Sequence, residues 1–298
     1  MTQAHGLRHG AASSTAEQPS TKRAPLAAAV LSLVVVACAA TASLATLAWS
    51  GSFPTKSAAP AVNQVLAEAR GWSAATLLLA IPVTLLALRA ARRGSLRGRL
   101  VWIGALGYFV YTYLEFAVSP PFTALYLVYV TALGCAIPAL VIGVASVDLA
   151  ELSLTLGARA PRRTVAGFSL VIAALLAFAW LGGIVGRTRA GAFGWPVGED
   201  AVAHVVHALD LGLQVPLGIA AAVLLLRRRA AGDLVAAMML VNAVLMGAAL
   251  TAMVVFAAAA SHTSAWSAAP FALFFGIAVV VAGAFLSPCR RAARGAGR

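Results

Sequence analysis

The polar side chains with the clearest capacity for chemistry lie in one apolar segment, residues 202–226. His204, His207, Asp210 and Gln214 recur there at intervals of three and four residues. At 100° per residue they fall within a sector of about 120° on one face of a helix. Histidines three residues apart can share a metal ion, and a carboxylate can complete a zinc or iron site. Histidines and carboxylates in series can also conduct protons or cations through a membrane protein.

A second polar stripe lies in residues 100–118, where Tyr108, Tyr111 and Glu115 share a helix face. All five tyrosines of the chain are found here and in the next apolar segment: Tyr108, Tyr111, Tyr113, Tyr126 and Tyr129. Glu115 and Asp210 are the only acidic residues of the sequence that fall well within apolar segments. Because an ionisable group is costly in hydrocarbon, each should face another helix or a hydrated cavity.

Three interpretations of these residues stay open. One is a metal site formed by His204, His207 and Asp210. Another is a pathway for protons or cations. The third is structural, with Asp210 hydrogen-bonded to a tyrosine of a neighbouring helix, which would contribute about 0.6 kcal/mol in a membrane. The sequence contains no phosphate loop, nucleophile elbow, Cys-x-x-Cys or haem attachment motif, so we expect no cofactor.

The composition identifies the elements that must position these side chains. The 298 residues are 61% hydrophobic and 10% charged, with a mean hydropathy of +0.91. Soluble domains carry roughly 25% charged residues, so this chain has too little charge for a water-facing surface. Long unbroken apolar runs are typical of helices, whereas a membrane β-barrel would show short alternating segments. The composition therefore predicts an all-α, polytopic transmembrane helix bundle.

Eight apolar runs are long enough to cross a membrane. We predict spans at residues 25–49, 72–90, 100–118, 122–147, 164–186, 202–226, 234–260 and 270–286. The domain organisation follows as a disordered cytoplasmic tail (1–24), an eight-span transmembrane domain (25–288) and a basic cytoplasmic tail (289–298). The first run is longer than the apolar h-region of a typical signal peptide, so we predict an uncleaved anchor. A short helix at the outer interface is predicted over 62–70, and no convincing internal repeat is visible.

The distribution of positive charge predicts the orientation. Eighteen of the 22 lysines and arginines lie in the two termini and the even-numbered loops, and four lie in the odd-numbered loops. Positive loops face the cytoplasm, so both termini are predicted to be cytoplasmic, in a bacterial plasma membrane. The formal net charge of +13 favours anionic lipid headgroups as partners over nucleic acid, because the arginines flank apolar runs. No protein partner is indicated.

This orientation places most of the intramembrane polarity in the outer half. At 1.5 Å per residue, Glu115 lies about 5 Å, Tyr129 about 10 Å and Asp210 about 12 Å below the outer end of its span. We therefore predict an outward-facing polar cavity between the third, fourth and sixth spans. Its predicted lining residues are Tyr108, Tyr111, Glu115, Tyr126, Tyr129, His207, Asp210 and Gln214.

The stretch of residues 92–113, RRGSLRGRLVWIGALGYFVYTY, resembles a family of uncharacterised multi-pass bacterial integral membrane proteins. The segments 66–71 (LAEARG) and 209–217 (LDLGLQVPL) are similar to other stretches of that family, and the resemblance extends loosely over 60–260. It implies a multi-span architecture and no mechanism.

Individual positions carry the resemblance unevenly. Tyr108, Tyr111 and Asp210 match the family pattern, and Thr112 stands where the family usually has asparagine. His204 and His207 are not part of the pattern, which disfavours the metal interpretation.

Three functions remain compatible with the sequence of this membrane protein. A transporter or permease for a small solute, with or without proton coupling, predicts a cavity that reaches the membrane midplane. A membrane enzyme acting at the outer leaflet predicts His204, His207 and a carboxylate within coordination distance of one point. A scaffold subunit predicts a polar stripe that faces a partner, with no cavity.

Overall fold

The computed structural model describes residues 23–49, 60–119, 122–191 and 199–295, and all regular secondary structure in these ranges is helical. Nearly all of the predicted disordered tail (1–24) and the last three residues of the predicted basic tail lie outside the described residues. The helices are α1 (Leu26–Ala48), α2 (Pro60–Ala75), α3 (Ile81–Arg92), α4 (Leu96–Val118), α5 (Tyr126–Ala145), α6 (Leu149–Leu156), α7 (Arg162–Arg189), α8 (Glu199–Leu209), α9 (Val215–Leu226), α10 (Ala230–Ala260) and α11 (Ala269–Gly295).

Eight helical segments are long and apolar enough to cross a membrane, which confirms the predicted all-α, eight-span class. We number them spans 1 to 8: Leu26–Ala48, Gln64–Arg92, Leu96–Val118, Tyr126–Ala145, Arg162–Arg189, Ala203–Leu226, Ala230–Ala260 and Ala265–Cys289. The protein is therefore a multi-pass membrane protein. Two short features supplement the spans. Ser95 caps α4 by accepting a bond from the Gly98 amide (3.1 Å), and Asp148 caps α6 through the amides of Ala150 and Glu151.

Residues 62–70 are helical, but they do not form the separate interfacial helix that the sequence predicted. They belong to α2, which continues through a π-helical turn (Thr76–Ala80) into α3. The reason is close packing against α10. A side chain at Gly71 would collide with the backbone of Ala252, so this glycine lets the two helices touch.

Spans 2 and 6 are each interrupted by a π-helical turn just before a proline. In span 2 the turn Thr76–Ala80 precedes Pro82, and in span 6 the turn Asp210–Gln214 precedes Pro216. Proline lacks an amide hydrogen and its ring crowds the preceding turn of a helix. A widened turn relieves this crowding and gives the side chain at its first residue a distinct direction.

These two interruptions belong to a repeat. Pro216 follows Pro82 by 134 residues, and the same offset relates the π-helical turns, which begin at residues 76 and 210. The helices that follow, α3 and α9, are 12 residues each. We call spans 2 and 3 the first hairpin and spans 6 and 7 the second hairpin.

The turns of the two hairpins are also built alike. Each contains one residue with positive φ, Gly94 (85°) in the first hairpin and Arg228 (52°) in the second. The next residue donates its amide back to the same position of the preceding helix, Ser95 to Ala90 (3.0 Å) and Arg229 to Leu224 (2.9 Å). The absence of a repeat, as predicted from the sequence, is therefore wrong for these segments.

The two hairpins meet where α4 crosses α10. Gly104 of α4 faces the backbone of Met238 and the side chain of Val241, and any larger side chain there would collide with Val241. Gly104 and Met238 are themselves related by the 134-residue offset. The crossing thus lies at equivalent positions of both central helices, with the other spans packed around them.

Candidate functional site

A cavity of about 350 Å³ lies beside the second hairpin. Its walls come from spans 2, 3, 5, 6, 7 and 8, and most of them are apolar. The polar residues on its surface include Tyr111, Glu115, Trp180, Asp210, Gln214 and Asn242. Span 4, which the sequence predicted as a wall, does not reach it, because α5 packs on α1 and α4 at the other side of the molecule.

Asp210 is the best-positioned polar residue of this cavity. It is the first residue of the π-helical turn in span 6 and is 6% exposed. The Tyr111 hydroxyl donates to Oδ1 (2.8 Å) and the Trp180 Nε1 donates to Oδ2 (2.9 Å). Charge-assisted hydrogen bonds of this kind orient a carboxylate firmly. Asp210 therefore ties spans 3, 5 and 6 together at the cavity wall, as the predicted bond to a neighbouring tyrosine requires.

Glu115 and Gln214 line the same cavity as Asp210. Glu115 is half-buried, and its carboxylate forms no hydrogen bond with any residue in the described ranges. Gln214 is the last residue of the π-helical turn that Asp210 begins. The structure thus brings together four of the predicted site residues, including Tyr111.

Three predicted tyrosines lie elsewhere. Tyr108 is fully buried, and its hydroxyl is 2.8 Å from the Thr76 hydroxyl. Tyr129 packs on Phe116, with ring centroids 5.4 Å apart, and Tyr126 packs on Phe122 at 4.8 Å. These side chains pack in the interior or at the surface of the bundle and do not line the cavity.

The two histidines of span 6 are also not cavity residues. The ring of His207 packs against Trp180 at 4.4 Å between centroids, and His204 is exposed. Within the part of the chain that the structure describes, no three His, Cys, Asp or Glu residues are placed to hold a metal ion. The set His204, His207 and Asp210 is thus not assembled, because His204 is exposed and the ring of His207 packs on Trp180.

Sequence reasoning missed several cavity residues. Trp180 and Asn242 were not among the predicted lining residues. The Oδ1 of Asn242 is buried and has no partner among the described residues. Met239, Met246 and Met253 also line the cavity. Their seven-residue spacing on one helix face is a signal that the sequence already contained.

The second hairpin has smaller side chains than the first at three positions on the cavity wall. Asn242, Ala243 and Leu250 line the cavity where the first hairpin has Tyr108, Phe109 and Phe116, whereas Met246 is larger than its counterpart Thr112. In the first hairpin, Tyr108 stacks on Trp72 at 6.1 Å and Phe109 stacks on Tyr113 at 6.1 Å. The cavity thus adjoins three positions whose counterparts in the first hairpin are aromatic.

A second polar cluster lies at the arginine-rich end of the bundle, where spans 5 and 7 begin. Arg162 donates from Nε and Nη2 to the two oxygens of Asp233, both at 2.8 Å, and Ser153 is 3.4 Å from the same carboxylate. Asp233 is 1% exposed. Beside it lies a second cavity of about 320 Å³, lined in part by Arg162, Arg163 and Arg228. An ion pair thus links spans 5 and 7 at this end, and arginines line the cavity beside it.

No protein-family model, curated protein or solved structure matches this chain. The resemblance to a bacterial membrane-protein family, carried by residues 92–113, stays a prediction.

Proposed function

We propose that this protein is a plasma-membrane permease that binds a small solute in the cavity beside the second hairpin. The extent of the cavity carries the proposal. It follows α10 from Met239 to Met253. Those 14 residues correspond to about 21 Å at 1.5 Å per residue, most of a hydrocarbon core roughly 30 Å thick. A site for chemistry at one leaflet, or a contact surface for a partner, does not need such depth.

The position of the cavity supports the same function. It adjoins an interrupted helix, span 6, and lies where the second hairpin meets spans 2 and 3 of the first. Transporters commonly bind their solutes at interrupted helices and at the interface between structural repeats. The two hairpins approach each other closely at Gly104 and at Gly71, so small residues set their contact.

The two ends of the bundle support an orientation for this permease. The ion pair of Arg162 and Asp233 links spans 5 and 7 at the arginine-rich end, and Glu115 brings the cavity within one turn of the opposite end of α4. We place the arginine-rich end in the cytoplasm on the basis of the charge distribution. There, the basic cavity near Arg163 and Arg228 suits anionic lipid headgroups.

Thiol labelling from each side of the membrane tests transport without knowledge of the solute. Ala243 lines the cavity, and its replacement by cysteine adds little volume. In a background with Cys38, Cys135 and Cys289 changed to serine, Ala243→Cys should react with a membrane-impermeant thiol reagent in both right-side-out and inverted vesicles. Leu175→Cys is the control, because Leu175 is 60% exposed on the outer surface of span 5, where lipid should shield it.

Labelling from one side alone would contradict a transporter and favour a binding site open to one compartment. Labelling from neither side would show that the cavity is sealed, and the proposal would be wrong.

A further inference from the structure

We propose that the solute is an organic cation with an apolar body, such as a protonated aryl-alkyl amine. The inference rests on the proposed function, because it assigns a substrate class to the same cavity. Three independent properties of the cavity carry it, namely its charge, its rings and an unpartnered amide.

The ionisable side chains that line the cavity are acidic. Asp210 and Glu115 both line it, and no lysine or arginine of the described ranges does. Charges interact strongly across a low-dielectric interior, so these carboxylates favour a cation and disfavour an anion. Among the described residues, Asp210 accepts one hydrogen bond on each oxygen, which leaves lone pairs for a ligand donor.

The rest of the wall is suited to an apolar body. Phe168, Phe271, Phe274 and Trp180 present aromatic rings to the cavity. Aromatic faces attract organic ammonium groups, and this attraction strengthens when the site excludes water. The three methionines, of which Met246 is central, are flexible and polarisable, so they adapt to varied apolar shapes. A bare metal ion or a sugar would need many more oxygen and nitrogen partners than this wall supplies.

Asn242 supplies the third observation. It lines the cavity and is only 8% exposed, yet its Oδ1 has no hydrogen-bond partner in the described chain. A buried carbonyl without a partner is unfavourable, so such groups usually have a role that completes them. An N–H of a bound ammonium group would satisfy this oxygen. Tyr108, the counterpart in the first hairpin, already has a partner in Thr76.

Three ligands with one body and different charges test this inference. 4-Phenylbutylammonium is a cation, 4-phenylbutanol is neutral and 4-phenylbutyrate is an anion. Radiolabelled 4-phenylbutylammonium is bound to the full chain in lipid nanodiscs, with empty nanodiscs as the blank for partition into lipid. We expect unlabelled amine to displace it at concentrations about tenfold below those of the alcohol, with the carboxylate weakest.

Variants that remove one acidic group at a time show which residues produce the preference for the amine. Asp210→Asn and Glu115→Gln should each weaken binding of the amine about tenfold or more and reduce its preference over the alcohol. Glu151→Gln, which removes the same charge at the arginine-rich end and outside the cavity, should leave binding unchanged. Because Glu115 makes no hydrogen bond in the described ranges, Glu115→Gln provides a folded variant even where Asp210→Asn loses stability.

Equal potency of the three ligands would overturn the cation assignment, as would binding unaffected by both cavity variants. The outcome is separable from that of the transport test. If Ala243→Cys is labelled from both sides and the ligands bind equally well, the protein is a permease but its solute is not a cation. If labelling occurs from one side and the cation binds best, the cavity is a cation-binding site but not a transport pathway.

Discussion

The first and second hairpins share a backbone design and differ in what fills them. Both have a π-helical turn six residues before a proline, at Pro82 and Pro216, and both have a glycine near the start of the second helix, at Gly98 and Gly232. The first hairpin is packed with aromatic rings around Tyr113, whereas the second borders a cavity. The backbone is therefore set by a few prolines and glycines, and the cavity lies where three aromatic residues of the first hairpin have smaller counterparts in the second.

The residue that opens each π-helical turn shows the same division. Thr76 pairs with one tyrosine hydroxyl in the first hairpin, and both groups are buried in a packed interior. Asp210 pairs with Tyr111 and with Trp180 at the cavity wall. A neutral pair stabilises packing at little cost, whereas a carboxylate in hydrocarbon is expensive and must be compensated by polar contacts. The first hairpin thus has a packed interior and adds Tyr111 and Glu115 to the cavity wall, while the second hairpin borders the cavity along α10.

The largest expected effect concerns the first buried charge of each central helix. Arg99 of α4 and Asp233 of α10 occupy equivalent positions with opposite charge. Arg99 is held by the Ser146 carbonyl (3.1 Å), whereas Asp233 forms the bidentate pair with Arg162. Asp233→Ala would leave Arg162 without its carboxylate and should lower the free energy of unfolding by about 3 kcal/mol.

Unfolding in mixed micelles measures this change. The double variant Asp233→Ala with Arg162→Leu should recover part of the loss, since no charge is then left unpaired. Exposed ion pairs contribute little, so a fall in the free energy of unfolding of less than about 0.5 kcal/mol in the single variant would contradict a stabilising, buried ion pair at this end.

An intermediate effect on stability is expected when the side chains at one pair of equivalent positions are exchanged. Phe109 is fully buried, and its counterpart Ala243 faces the cavity. Phe109→Ala should lower the free energy of unfolding by about 2 kcal/mol through lost packing. Ala243→Phe should change it by less than about 1 kcal/mol, because the new ring enters open space, and it should abolish labelling at Met239→Cys. Similar losses of stability in both variants would mean that the second hairpin is as tightly packed as the first.

The smallest expected effect is at the π-helical turn of the first hairpin. Thr76→Val keeps the shape of the side chain and removes its hydrogen bond to Tyr108. The cost should be about 0.6 kcal/mol, with binding of 4-phenylbutylammonium unchanged. Thermal unfolding and ligand displacement on one sample measure both quantities. A loss of binding would show that the pair of Thr76 and Tyr108 also shapes the site.

The membrane class and the spans could be predicted because about 20 apolar residues are needed to cross a bilayer. The pairing of Asp210 with a tyrosine was also within reach, since both had to leave the lipid. The walls of the cavity were not, because a single sequence does not state which spans are neighbours. Span 4 was expected to be a wall, yet α5 packs on α1.

The repeat escaped detection for a related reason. What the two hairpins share is backbone geometry, which depends on Pro82, Gly98 and their counterparts, while the side chains between them have diverged. A search for similar side chains passes over such a pattern. Equal spacing of prolines and glycines, 16 residues in each hairpin, is the signal that reveals it.

The first hairpin has a packed interior, whereas the second borders a cavity, and one pair of equivalent positions tests this difference directly. Ala105 is fully buried in the first hairpin, and Met239, its counterpart, lines the cavity. In the purified, cysteine-free background, Met239→Cys and Ala105→Cys are compared by their rates of reaction with a water-soluble thiol reagent. We expect Met239→Cys to be modified rapidly and 4-phenylbutylammonium to slow this reaction. We expect no measurable modification of Ala105→Cys in the folded protein. Equal rates at the two positions would contradict this difference.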